Sequence, residues 1–76
     1  MRLLFLGRLQ DVAGGAERQV ATATSLRSLI AALEPALAEA VTSPRIRVAV
    51  NGTVVAGDAP LAESDEVAFL PPVSGG

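Results

Sequence analysis

The chemistry this chain offers lies at its end, where Pro71-Pro72-Val73-Ser74 runs into Gly75-Gly76. Elimination leads there first. The sequence contains no His, Cys, Lys, Tyr or Trp. General acid–base work near neutral pH draws on His, or on Lys and carboxylates of shifted pKa, and a serine nucleophile needs a neighbouring base. Ser25, Ser28, Ser43, Ser64 and Ser74 have no His or Lys to activate them, so a self-contained hydrolase or transferase is not expected. The absence of Cys also removes disulfides, thiolate metal sites and thiol catalysis.

What remains is a main-chain carboxylate. An α-carboxyl has a pKa of about 3.3–3.7 and is ionised at pH 7, which makes it a poor electrophile. To carry an acyl or sulfur group it must be activated, and adenylation by ATP is the natural route. The machinery for that step is not in this chain, so a partner is expected to use the ATP, and no bound cofactor is expected here. The tail suits such a role. Pro71-Pro72 cannot extend a central ladder and stiffen the exit from the last strand. Extended at ~3.3–3.6 Å per residue, positions 71–76 reach about 20 Å, enough to enter a partner's active site. Glycine has no Cβ, so Gly75-Gly76 can thread a channel too narrow for other residues. A Gly-Gly ending alone is a weak signal, because termini are commonly small and frayed. A strand stopped by Pro-Pro, followed by a short tail on a domain without catalytic side chains, is a more demanding pattern.

The body must therefore present the tail. Seventy-six residues make one domain, and a chain this short buries only about 60% of the surface its unfolded form exposes. Half the residues are apolar, which argues against disorder. The net charge is −2, and the six basic residues, all Arg, are scattered at positions 2, 8, 18, 27, 45 and 47. With no basic stripe and two aromatic side chains, nucleic acid is not expected as a partner. A membrane is not expected either: no stretch approaches the ~20 apolar residues of a span, and the apolar run Leu3–Leu6 is too short for a signal-peptide core and is closed by Arg8. Cytoplasmic residence is the expectation.

The periodicities predict the order β-β-α-β-β-β. Residues 2–9 read as a first strand, apolar on both faces, followed by a turn at Asp11–Gly15 and a second strand over 17–22. Thr24 or Ser25 caps a helix over 25–33, whose face is Leu26, Leu29, Ile30 and Leu33. Pro35 interrupts that pattern, and a second helical piece covers 36–42. Residues 45–50 alternate, with Ile46, Val48 and Val50 on one face and Arg45, Arg47 and Ala49 on the other. Asn51-Gly52 predicts a type I′ hairpin into Thr53–Val55. Leu61-Ala62 reads as a brief helical turn, and Glu66–Leu70 as the last strand. The fold class is α+β: a mixed sheet packed on one main helix, with residues 1–70 as the domain and 71–76 as a flexible tail. The helix covers only one sheet face, which leaves apolar surface near residues 4–6 and 68–70 as a candidate protein interface. Parity alone does not decide whether Phe5 and Phe69 point to the core or to that surface.

The stretch Asp65-Glu66-Val67-Ala68-Phe69-Leu70-Pro71-Pro72-Val73-Ser74-Gly75-Gly76 resembles the C-terminal motif of the MoaD family, the small subunits of molybdopterin synthase, within the wider MoaD/ThiS superfamily of sulfur carriers. Leu4-Phe5-Leu6-Gly7 with Gly14 is similar to that family's first strand and turn, and Ala49-Val50-Asn51-Gly52 to its hairpin. The likeness spans essentially the whole chain, and its specificity lies in the last dozen residues. It implies a β-grasp, ubiquitin-like fold. It also implies that a ubiquitin-activating-type adenylyltransferase adenylates Gly76, with Gly75 beside it, and that a sulfur donor converts the end to a thiocarboxylate. The tail would then enter the large subunit of molybdopterin synthase and give sulfur to cyclic pyranopterin monophosphate in molybdenum cofactor biosynthesis. The implied partner-binding residues are Leu4, Leu6, Phe69, Leu70, Pro71, Pro72, Val73 and Ser74. The chain departs from the family pattern at Leu6 and Leu70, where an aromatic is common, at Ser64, where Gly is frequent, and at Gln10, where many members have Arg.

Other readings share the same end. One is a sulfur carrier for thiamine, cysteine or tRNA thiolation, against which Pro71-Pro72 speaks for the thiamine carriers. Another is a ubiquitin-like protein modifier that forms an isopeptide bond through the activated carboxylate. The plainest is a small interaction domain with an incidental tail. Arg45 and Arg47 read as a solvated strand face, and Asp58, Glu63, Asp65 and Glu66 as solvated turn acids without the spacing of a calcium loop. On any of these readings the chain is a carrier or binding module and not a catalyst by itself.

Overall fold

The structure is a computed structural model that describes residues 1–72. Eight elements follow one another: β1 (Arg2–Phe5), α1 (Leu9–Ala13), β2 (Glu17–Gln19), α2 (Leu26–Ala31), α3 (Pro35–Val41), β3 (Arg47–Val50), β4 (Thr53–Val55) and β5 (Glu66–Leu70). The strands form one sheet in the order β2-β1-β5-β3-β4. The central pair β1–β5 is parallel, and the remaining pairs are antiparallel. The first and last strands of the chain thus lie side by side at the centre of a mixed sheet that grips the helices, the arrangement of a β-grasp.

Register decides what each face carries. Leu3 is opposite Val67, and Phe5 is opposite Phe69. Val48 and Val50 are opposite Phe69 and Val67 from the other side. This face meets Leu9 of α1, Leu26 and Leu29 of α2, Leu33, and Leu37 and Val41 of α3 in one apolar cluster. Leu3, Val67 and Phe69 are wholly inaccessible to solvent. The Phe5 and Phe69 rings stack with centroids 5.5 Å apart and planes 13° from parallel, an offset-stacked geometry that aromatic pairs prefer. The alternation expected over 45–50 therefore holds, and it assigns Val48 and Val50 to the core side.

Several boundaries differ from the periodic reading, each for a local reason. β1 ends at Phe5 instead of residue 9, because the chain turns at Gly7, whose φ is +56°. The segment expected as a turn at Asp11–Gly15 belongs in part to α1, whose Leu9 and Ala13 face the core. Its glycine is a helix stop: Gly14 has φ +80° and donates its N–H to the Gln10 carbonyl, a left-handed C-terminal cap. β2 is shorter than expected and stops at Gln19. The helix expected over 25–33 is α2, capped by Ser25, whose Oγ accepts from the Ser28 N–H while the Ser28 hydroxyl accepts from the Ser25 N–H. It gives way to a tight last turn in which Leu33 N–H reaches Ile30 O at 3.0 Å. Pro35 then starts α3, at the position where a missing N–H costs nothing. The helical layer is thus α2 and, after the proline as expected, α3, with the short α1 beside α3 as the element the periodic reading does not contain. Leu61-Ala62 is not helical, β3 starts at Arg47 instead of Arg45, and β5 has the expected bounds.

Candidate functional site: the tail root and the open sheet face

The face of the sheet turned away from the helices carries Leu4 opposite Ala68, Ala49 opposite Ala68 from the other side, and Leu70 opposite Arg47. Ala49 is nearly inaccessible although it lies on this side, since its small side chain lies between Ala68 and Val54 on the flanking strands. Leu4, Ala68 and Leu70 are half-buried, whereas Leu6 and Val54 are exposed. The expected apolar surface near residues 4–6 and 68–70 is present and extends across β3 to Val54.

The chain leaves the sheet from this face. Leu70 ends β5, Pro71 is half-buried and Pro72 is exposed. Pro71 lies directly against the turn after β1: a Cβ on Gly7 would be 3.0 Å from Pro71 Cγ. Gly7 thus meets two demands at once, a left-handed backbone and a close neighbour. A hydrogen bond from Leu6 N–H to Phe69 O at 3.2 Å holds the same two segments together just before the tail begins. Val73, Ser74, Gly75 and Gly76 lie outside the described residues.

Of the residues expected at the docking surface, Leu4, Leu6, Leu70, Pro71 and Pro72 are gathered around the point where the tail departs. Phe69 is not among them. Its side chain is 0% exposed and stacked on Phe5 within the core, because one step along β5 turns a side chain to the opposite face. Phe69 therefore supports the site from beneath.

Three of the four acids that could suggest a cation site, Asp58, Asp65 and Glu66, spend oxygens on their own chain. Asp58 Oδ1 accepts from the N–H groups of Arg27 and Ala59. Asp65 accepts from Ala62 N–H and from the Asn51 amide, both at 2.8 Å, and these bonds, the backbone one foremost, hold its carboxyl below the usual range. Glu66 pairs with Arg2. Asn51 also accepts from Glu66 N–H through its Oδ1 at 3.0 Å, so the β3–β4 turn is pinned to the start of β5. Ser64 has no positive φ, so its departure from the family's glycine carries no backbone strain here. Among the described residues no group of three or more candidate ligands gathers into a metal site, and no helix is long and apolar enough to cross a membrane.

The sequence reading passed over two features of the site. Gly7 enters it only as part of a family motif, because its contact is with a residue 64 positions later. Arg45 and Arg47 read as ordinary strand-face charges, yet they line a groove with Leu70, Pro71 and Pro72. Only the antiparallel register that places Arg47 opposite Leu70 reveals this.

Known proteins share this chain's sequence or its build. The chain is 38% identical over 80 aligned positions to the molybdopterin synthase sulfur carrier subunit of Escherichia coli (strain K12), covering 100% of this chain and 99% of the relative. It superposes on SAMP1 of Haloferax volcanii with a TM-score of 0.78 at 32% identity, over 100% of this chain and 98% of that one. A second structure of the same organism's small archaeal modifier protein 1 gives 0.75 at 29% identity, over 96% and 97%. A chain in the complex of subunits 1 and 2 of the molybdopterin-converting factor from Helicobacter pylori 26695 gives 0.73 at 26% identity, over 99% and 96%. The ThiS family model matches residues 3–76, through both terminal glycines, and the chain belongs to that family.

Proposed function

We propose that this chain is the sulfur carrier subunit of a molybdopterin synthase. The observation that carries the reading is its likeness, over its full length and at 38% identity, to a carrier of that name. The geometry supports it: Pro71 and Pro72 leave the sheet beside an open apolar face, on a body that lacks the side chains of a self-sufficient enzyme.

The working group is the carboxylate of Gly76. One of its oxygens attacks the α-phosphate of ATP in an adenylyltransferase, and pyrophosphate leaves. A sulfur nucleophile at the oxidation level of sulfide then displaces AMP, so that a C–S bond replaces a C–O bond and a thiocarboxylate results. The large subunit receives the tail, and the sulfur passes to cyclic pyranopterin monophosphate. Leu4, Leu6, Leu70 and Pro71 make the docking surface, while Pro72, Val73 and Ser74 bind the partner along the way that Gly75 and Gly76 take to its active site.

Intact mass spectrometry after incubation with the activating enzyme, ATP and a sulfur donor tests this. The expected result is an oxygen-to-sulfur mass gain confined to Gly76. Deletion of Gly76 abolishes both that gain and molybdopterin formation while leaving the thermal midpoint unchanged. A truncated chain that still supports molybdopterin formation would sink the proposal. The superposition on an archaeal modifier protein favours one second reading, a protein modifier, for which the same experiment would give isopeptide adducts on lysines of other proteins.

A further inference from the structure

Of the six arginines, two have carboxylate partners: Arg2 with Glu17 and Glu66, and Arg18 with Glu34. Arg8, Arg27, Arg45 and Arg47 make no ion pair among the described residues. Three of these four gather where β5 ends. Arg47 is opposite Leu70. Arg45 and Arg47 line one groove with Leu70, Pro71 and Pro72. Arg8 follows Gly7, the residue in contact with Pro71, and shares a second depression with Arg45 and Asp11. At the other end of the same sheet face the balance reverses, because Arg2 stands between Glu17 and Glu66, with Asp65 next in the chain. The open face thus runs from acidic around Arg2, at Glu17 and Glu66, through apolar to basic at Arg47, and Arg45 and Arg8 continue the basic end around the root of the tail toward α1 and α3. In a chain of net charge −2, this is segregation and not general basicity.

Charge complementarity identifies the occupant as a protein surface that presents carboxylates. Six residues beyond Leu70 can span up to about 20 Å, so guanidiniums at the root are suited to the rim of a partner's opening and not to the nucleotide at its floor. Gly75 and Gly76 have no side chains to read. An activating enzyme that selects this carrier among Gly-Gly-ended domains must therefore recognise the body around the root. Resting on the carrier reading above, we infer that Arg8, Arg45 and Arg47 form a cationic collar that docks on an acidic rim around the tail-accepting opening of the adenylyltransferase.

Stopped-flow association of the full chain with the same organism's purified adenylyltransferase, between about 20 and 500 mM salt, tests the collar, since rim charges act mainly on the association rate and are screened. Arg47→Glu is expected to slow association about tenfold at low salt and to flatten the salt dependence. Arg27 is no control, because it lines a groove with Arg47; the double variant Gln19→Glu with Ala36→Glu makes the same change in net charge at exposed positions of β2 and α3 and is expected to change the rate less than about twofold. Thermal melts establish that both variants fold; should Arg47→Glu not fold, Arg47→Gln removes the charge alone and is expected to reduce the salt slope. Equal rates for the Arg47→Glu and the Gln19→Glu/Ala36→Glu variants would overturn the collar and leave the carrier proposal standing. No association by the unaltered chain would overturn both.

Discussion

Phe69 and Leu70 are neighbours in the chain with opposite tasks. Phe69 fills the core against Phe5, while Leu70 is half-exposed at the end of β5. Replacement of Phe69 by Ala is expected to cost about 3–5 kcal/mol of stability, read as a shift of the urea midpoint. Leu6 belongs to the other class, exposed on the open face beside the tail root. Leu6→Asp is expected to change stability by no more than about 0.5 kcal/mol and yet to weaken binding to the molybdopterin synthase large subunit, measured by calorimetry. A Leu6→Asp chain that binds as well as the unaltered one would remove Leu6 from the docking surface. The two substitutions separate what the motif in the sequence runs together, since five consecutive residues, Glu66–Leu70, serve two faces.

At the scale of elements, the β3–β4 turn was the most legible part of the chain. Asn51 and Gly52 have φ of +50° and +83°, as the Asn-Gly pair requires for a type I′ turn. Asn51 also ties that turn to Asp65 and Glu66 through its side chain, and this no local pattern announces. Asn51→Ala is expected to lose about 1–2 kcal/mol for the left-handed backbone alone, and more for the broken amide contacts, in a denaturant titration. Asn51→Gly relieves the backbone term and should lose less; equal losses would show that the side-chain bonds dominate. β5 and the proline break before α3 were legible for the same reason, because each rests on alternation or on a backbone constraint within a few residues. α1 was not. It spans Leu9–Ala13, too short for a helical period to stand out, and its two glycines signal a cap and a turn equally well. The site divides along the same line. The tail and the apolar open face could be read from the chain, whereas the contact of Gly7 with Pro71 and the nearness of Arg47 to Leu70 depend on strands far apart in sequence pairing at the sheet centre.

For the whole molecule, the parts farthest from the tail are fastened by carboxylates, which makes the fold sensitive to acid. Arg18 bonds both oxygens of Glu34, at 2.6 and 3.1 Å, donates to Ala13 O at 2.7 Å, and lies 5.8 Å above the Phe5 ring. One side chain on β2 thereby joins the end of α1 to the junction of α2 and α3. The Arg18 hydrogen bond lowers the Glu34 pKa from 4.5, and the Ala62 N–H, followed by the Asn51 amide, lowers that of Asp65 from 3.8. A carboxyl whose pKa is lower folded than unfolded binds protons more readily when unfolded. Its contribution is therefore complete above the unfolded value and is lost as pH falls through the folded one. Arg18 is shifted upward by the same pair, so its contribution is intact throughout the neutral range. The thermal midpoint is thus expected to be level from pH 7 down to about 5 and to fall below the unfolded carboxyl values. Asp65→Asn supplies the internal check. Its midpoint should lie below that of the unaltered chain at pH 7, and the gap should close as Asp65 is protonated. A gap that stays constant down to about pH 2 would mean that the Asp65 charge contributes nothing and that only the shape of the Ala62–Asp65 turn matters.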